Sequence, residues 1–200
     1  MTVSTIKSSL LIAAMSAFTV FTGKSSAELV TIEPQLLEVQ TGSTFSVDIT
    51  TLQLGESTDI GAFDIDLAYD NAVFEFAGYT LYDGLGSVGT EEVLDLSGLV
   101  EPGKLNLAAI SLLGASELNN QPNQDLKLAA VTFRAIKNGN SELQLSVNYL
   151  SDAFGECLTV SSRNGNVNSV PEPAMTAMFL MGAFMLVANS RKRNHSKNRR

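Results

Sequence analysis

The sequence predicts an all-β sandwich, on three observations. Apolar and polar residues alternate with period two through most of residues 28–170, as in strands that bury one face. Short stretches rich in Gly, Asn and Asp punctuate the alternation at turn spacing. No strong helical periodicity interrupts it, and repeated short strands without helices pack as two facing sheets.

The strands follow in order. Phe45, Val47 and Ile49 alternate with Ser46, Asp48 and Thr50; Phe63, Ile65, Leu67 and Tyr69 alternate with Asp64, Asp66 and Ala68. Phe74-Glu75-Phe76 repeats the pattern, as do Leu105 and Leu107, then Leu143, Leu145, Val147 and Tyr149, and finally Leu158 and Val160. Tyr69 and Tyr149 are in phase with core residues, which predicts that both are buried. Gly42, Gly55, Gly61, Asp70-Asn71, Asp83-Gly84, Pro102-Gly103 and Arg163-Asn164-Gly165-Asn166 read as turns. Asn138-Gly139 between two strand-like runs predicts a hairpin. Leu126 and Leu128 are out of phase with Val131 and Phe133, which predicts a bulge near Ala129-Ala130. Residues 84–99 predict a long loop or one short helix.

Both ends of the chain read as addresses. Lys7, the apolar run 10–21 and Ser25-Ser26-Ala27 make a secretory leader over residues 1–27, cut between Ala27 and Glu28. At the other end Val170-Pro171-Glu172-Pro173 precedes an apolar run over 174–188 whose one polar residue is Thr176. Arg191, Lys192, Arg193, Lys197, Arg199 and Arg200 follow. Fifteen helical residues span roughly 22 Å, short for a bilayer core of about 30 Å unless the flanks adapt. The basic excess beyond it holds the C-terminus on the cytoplasmic side. The expected division is a leader (1–27), a sandwich domain (28–168), a box (169–173), a transmembrane helix (174–190) and a basic cytoplasmic tail (191–200).

Removing both ends sharpens the charge. Residues 28–170 hold twenty Asp and Glu against Lys104, Lys127, Arg134, Lys137 and Arg163, a net charge of −15 compared with −8 for the whole chain. Such a surface repels nucleic acid and anionic lipid.

Pro171, Glu172, Pro173, the apolar run with Gly182 and the cluster Arg191-Lys192-Arg193 together resemble a PEP-CTERM sorting signal. The resemblance covers about thirty residues. It implies that Val170, Pro171, Glu172, Pro173, Arg191, Lys192 and Arg193 are recognition residues for an exosortase, a membrane-embedded processing enzyme. It implies transient residence in the inner membrane of a Gram-negative-type bacterium that makes exopolysaccharide, and delivery to the cell surface or matrix. The polar residues after Arg193 depart from the shorter tails of that family.

Candidate chemistry is sparse. The sole histidine, His195, lies in the basic tail, so residues 28–170 hold no Ser-His-Asp or Cys-His arrangement and no histidine-based zinc site. Asp64 and Asp66 are the carboxylates a glycosidase reading would use, but their alternation with core residues places them on a solvent face. Gly84-Leu85-Gly86-Ser87-Val88-Gly89 matches GxGxxG in letters and lacks the strand–helix context that motif needs; a flexible loop accounts for it. Asp152, Glu156, Asp59 and Asp70 are oxygen-rich turn residues, and a structural calcium there is the one cofactor considered; their spacing fits no EF-hand loop. Sugar binding uses exposed aromatic platforms; with no Trp in the chain, Tyr79 and Tyr82 beside the 84–99 loop are the candidate ligand contacts. Cys157 is the only cysteine, which precludes an internal disulfide, and reads as a half-buried strand residue.

A second resemblance spans roughly residues 30–168. Thr41-Gly42-Ser43-Thr44-Phe45-Ser46-Val47, the run 61–75 with Tyr69-Asp70 at its turn, Leu128-Ala129-Ala130-Val131-Thr132-Phe133, Leu150-Ser151-Asp152-Ala153-Phe154-Gly155 and Asn164-Gly165-Asn166-Val167 are similar, in this order, to the motifs of cohesin-like domains. The resemblance implies a nine-stranded jelly-roll sandwich, related in shape to some carbohydrate-binding modules. The two addresses and the lack of catalytic side chains predict a non-catalytic, exported surface or matrix binding or adhesion protein, with exopolysaccharide or another surface protein as its partner; the resemblance is carried over for the fold and not for a partner. A polysaccharide-binding module is the alternative, and a carboxylate glycosidase a more distant one.

Overall fold

Alternation becomes two sheets in the computed structural model, which describes residues 27–53, 59–118, 125–171, 181 and 184. The first sheet holds β1 (Ala27–Glu33), β3 (Thr44–Gln53), β5 (Phe74–Leu81), β9 (Leu126–Ala135) and β11 (Thr159–Arg163), in the order β11-β1-β3-β9-β5. The second holds β2 (Leu36–Gln40), β4 (Ile60–Ala68), β6 (Val93–Asp95), β7 (Gly98–Glu101), β8 (Lys104–Ser111), β10 (Gly139–Asp152) and β12 (Gly165–Val170). Its order is β2-β12-β10-β4-β8-β6, with β7 also on β8. Val30, Ile32, Val47 and Ile49 from the first sheet meet Ile65, Leu67, Leu105, Leu107 and Leu143 from the second in one buried core. Phe133 anchors an aromatic end of that core, with Tyr69 at 4.9 Å and Phe45 at 5.6 Å between ring centroids. Offset and edge-on pairs of this kind add to plain apolar burial.

The described residues form twelve strands rather than the nine the family resemblance implies. The excess has a physical source. The first strand changes sheets at Pro34 and becomes β1 and β2; the last changes sheets at Asn164 and becomes β11 and β12. The two crossings are in step, so β1 pairs in parallel with β11 and β2 in parallel with β12. Residues 84–99, expected as a long loop or one short helix, contribute the short β6 and the start of β7.

Three local expectations changed, and the bulge expected near Ala129-Ala130 is present beside Ala129. Asn138-Gly139 makes no hairpin: β9 and β10 lie in different sheets. The N–H groups of Ile136 and Lys137 both donate to Val73 O, which holds the chain on the 70–74 turn as it crosses. The predicted bulge falls at Leu128, where pairing jumps from Ile49–Ala129 to Thr50–Lys127; Leu128 and Ala129 therefore both point inward and are buried. Tyr149 is not buried but 41% exposed. A second bulge, at Asn148, pairs Val147 with Ile65 and then Tyr149 with Asp64, which turns Tyr149 to the outer face. Cys157 is exposed rather than half-buried, because it lies just past the 152–156 turn.

The GxGxxG stretch is a loop held by two carboxylates. Asp83 accepts the Val88 N–H at 3.0 Å, Glu92 accepts the Ser87 N–H at 2.8 Å, and Leu85 plugs the core between them. The leader other than Ala27, the box residues Glu172 and Pro173, and the tail with Arg191, Lys192 and Arg193 lie outside the described residues. So does the expected membrane segment, apart from Met181 and Phe184, which are helical. Among the described residues no helix is long and apolar enough to cross a membrane.

Candidate functional site

The outer face of the larger sheet carries a fixed polar patch beside an apolar corner. Register sets its rows. Asn106, Asp66 and Ser146 lie side by side across β8, β4 and β10; next come Ala108, Asp64 and Tyr149, then Ile110, Ala62 and Ser151. Leu94 of β6 adjoins Ile110.

In the polar patch each group is satisfied by its neighbours. The Asn106 amide donates to Asp64 at 2.7 Å and to Asp66 at 3.0 Å; Asn148, the bulge residue, donates to Asp64 at 3.2 Å. Lys104 Nζ lies 3.0 Å from the other oxygen of Asp66. Partial burial pushes the Asp66 carboxyl up, but hydrogen bonds from Asn106, Lys104 and Asn148 and the Lys104 charge outweigh it, leaving the group below its ordinary range. Asp66 is thus held ionised, which suits recognition and not proton donation. The Tyr149 hydroxyl donates to Gly155 O at 3.1 Å, so its ring stands fixed on this face.

The corner was not foreseen from the sequence. Leu94 and Ile110 are 44% and 40% exposed, and Leu96 and Leu112, two residues further along the same strand directions, are 56% and 58% exposed. The alternation Leu94-Asp95-Leu96 was its only sequence signal. Phe154, 83% exposed, tips the 152–156 turn at the same end of β4. That turn is ordered by Asp152, whose Oδ1 accepts the N–H groups of Phe154 and Glu156 at 2.8 and 2.9 Å.

The other candidates are dispersed. Tyr79 packs against the margin of the core, and its hydroxyl donates to Asp95 at 3.0 Å and Ser97 O at 3.2 Å, tying β5 to the β6–β7 edge. Burial and the Asp95 carboxylate raise its pKa. Tyr82 faces outward from the smaller sheet and donates to Asp48 at 3.0 Å, while Lys127 bonds the other Asp48 oxygen and sits 5.6 Å from the Tyr82 ring. The hydrogen bond to Asp48 raises the Tyr82 pKa and also that of Lys127. The structure therefore does not bring Tyr79 and Tyr82 together as one platform. Of the calcium candidates, Asp152 caps its own turn and Asp70 caps the Ala72 N–H; no group of three metal-ligating side chains occurs among the described residues. Ala27 and Glu28 open β1, and Val170 ends β12 with Pro171 exposed after it.

Comparison with known proteins matches this architecture. The cohesin domain model matches residues 30–168. No curated protein sequence gives a significant match. A cohesin of Clostridium acetobutylicum is 19% identical with a TM-score of 0.59, over 74% of this chain and 93% of its own. A non-cellulosomal cohesin of the archaeon Archaeoglobus fulgidus is 18% identical with a TM-score of 0.54, over 76% and 98%. A type I cohesin–dockerin complex of Clostridium thermocellum is 15% identical with a TM-score of 0.58, over 72% and 100%. At these identities the solved structures speak for the fold alone, but the family model covers more than half of the chain: the protein belongs to the cohesin domain family.

Proposed function

We propose that the domain is a non-catalytic docking module, exported to the cell surface, that receives a folded protein of the dockerin kind on the outer face of its larger sheet. Cohesin domains are non-catalytic binding modules, and a cohesin of similar fold is paired with a dockerin in the Clostridium thermocellum complex. The observation that carries the reading is the concentration of Leu94, Leu96, Ile110 and Leu112 beside the fixed Asp64–Asn106–Asp66–Lys104 patch. An apolar centre next to oriented polar groups is the composition of a specific protein interface.

Binding to a panel of purified dockerin modules tests this. Ile110→Asp should weaken any interaction more than about tenfold, the scale of losing one central contact, while Tyr82→Ala leaves it unchanged. A glycan-array hit abolished by Tyr82→Ala, with no protein bound through the Ile110 corner, would replace docking by the polysaccharide reading.

Delivery belongs to the same proposal. The leader is cut between Ala27 and Glu28, and an exosortase-type enzyme processes the chain at the box formed by Val170, Pro171, Glu172 and Pro173, using the basic cluster Arg191, Lys192 and Arg193 to position it. Mass spectrometry of the surface fraction should find mature chains lacking residues 174–200. Chains retaining Arg200 would mean a simple anchor.

A further inference from the structure

Among the described residues the opposite edge of the larger sheet is open. β2 ends the strand order, and no strand among the described residues lies on its outer side. Its pairing with β12 fixes which backbone groups are used. The Asn166 N–H donates to Gln35 O and the Thr41 N–H to Val170 O, with Asn166 in register with Leu36. In a parallel ladder the bonding residues of one strand alternate, so residues 35, 37, 39 and 41 face β12. The N–H and C=O groups of Leu36 and Glu38, and the N–H of Gln40, therefore point away from it. The Gln40 carbonyl is taken by the Ser43 N–H and hydroxyl, which closes that end of the edge.

Side chains along this edge are as specific as its backbone. Leu36 is 79% exposed, among the most exposed large apolar side chains described. Leu36, Glu38 and Gln40 share the outer face, whereas Leu37 and Val39 face the core. A shallow groove of about 370 Å³ runs here, lined by Leu36, Leu37, Glu38, Asn166 and Asn168. Natural sheets blunt free edges with Lys, Pro or a covering loop; the β2 edge carries no Lys, and Pro34 precedes the strand without interrupting it.

We infer that β2 accepts an extended basic peptide segment of a partner protein as an added strand of the sheet. Backbone pairing to Leu36, Glu38 and Gln40 provides the affinity, and alternate side chains provide the specificity. Residues of the guest on the outer face meet Leu36 and then Glu38, so an apolar residue and a Lys or Arg stand two positions apart. A basic guest is selected by Glu38 and by the −15 net charge of residues 28–170. This interface lies at the edge remote from the Leu94–Ile110 corner, and so it stands or falls independently of docking there.

The test is hydrogen exchange of the full chain with a blocked octapeptide of the repeat Val-Thr-Lys-Thr, which sets Val and Lys two positions apart on one face. Exchange of the Leu36 and Glu38 amides should slow on adding the peptide. The same peptide N-methylated on its edge-facing nitrogens should give no slowing, and Glu38→Lys should weaken binding by about tenfold, the effect of replacing an attractive cross-strand pair by a repulsive one. Equal binding by the N-methylated peptide would overturn strand addition in favour of plain charge attraction. Slow exchange at Leu36 and Glu38 before any peptide is added would overturn it too, because the edge would then be filled by this chain or a second copy.

Discussion

Glu28 lies on the core side of β1, in phase with Val30 and Ile32, fully buried, and neither of its carboxylate oxygens has a partner among the described residues. Burial raises its pKa above the ordinary 4.5. The folded state thus holds the proton more tightly than the unfolded chain, so no stability is lost below 4.5 and stability falls as pH rises from there through the raised folded value. Glu28→Gln should raise the melting temperature at pH 7 by about 3–8 °C, on an unpaired buried charge costing roughly 1–2 kcal/mol. The gain should vanish in melts near pH 4, and an equal gain at both pH values would rule out ionisation as the cause. The phase of Glu28 was present in the sequence, since Glu28, Val30 and Ile32 alternate, but reading it as a leader boundary hid its place in a strand. Tyr149 failed in the opposite way: its parity was read correctly and then reversed by a one-residue bulge at Asn148 that no side chain there announces.

At the scale of elements, the alternating strands were legible and their partners were not. Phe63, Ile65 and Leu67 face the core as their period-two pattern requires, yet nothing in residues 126–152 told that β9 and β10 belong to different sheets. Strand pairing is decided by contacts distant in sequence, and an Asn-Gly turn serves a crossing as well as a hairpin. The start of β4 shows how tightly one crossing is packed. A Cβ on Gly61 would stand 2.4 Å from Asp152 O and 3.1 Å from Ala153 Cα, both backbone atoms. Gly61→Ala should therefore push the 152–156 turn away from β4 and destabilise the domain by about 2–4 kcal/mol, read as a lower urea midpoint. Gly98→Ala, where an added Cβ meets nothing within 4 Å, is the control and should leave the midpoint nearly unchanged. The same displacement should move Phe154 and so weaken docking at the apolar corner. That corner was invisible beforehand because Leu94 and Ile110 become neighbours only through the β6–β8 register.

For the whole molecule, alternation and the ordered motifs sufficed to give a two-sheet sandwich of the cohesin family. They did not give the manner in which the two ends are joined. β2 has β12 as its one neighbour in the strand order, and β11 has β1. Ending the chain after Leu158 should therefore abolish the cooperative thermal transition, whereas ending it after Pro171 should preserve it; circular dichroism melts of the two chains decide this. The parallel joining also determines how the domain answers to force. β1 and β2 run in the same direction as β11 and β12, with five residue pairs in each parallel ladder. Tension between Glu28 and Val170 pulls one strand backward along its length and its neighbour forward. The load then falls on all the rungs at once, in shear, instead of peeling them singly from an end. A module held at its C-terminal side and tugged through its N-terminal side would resist rupture far beyond what its equilibrium stability suggests.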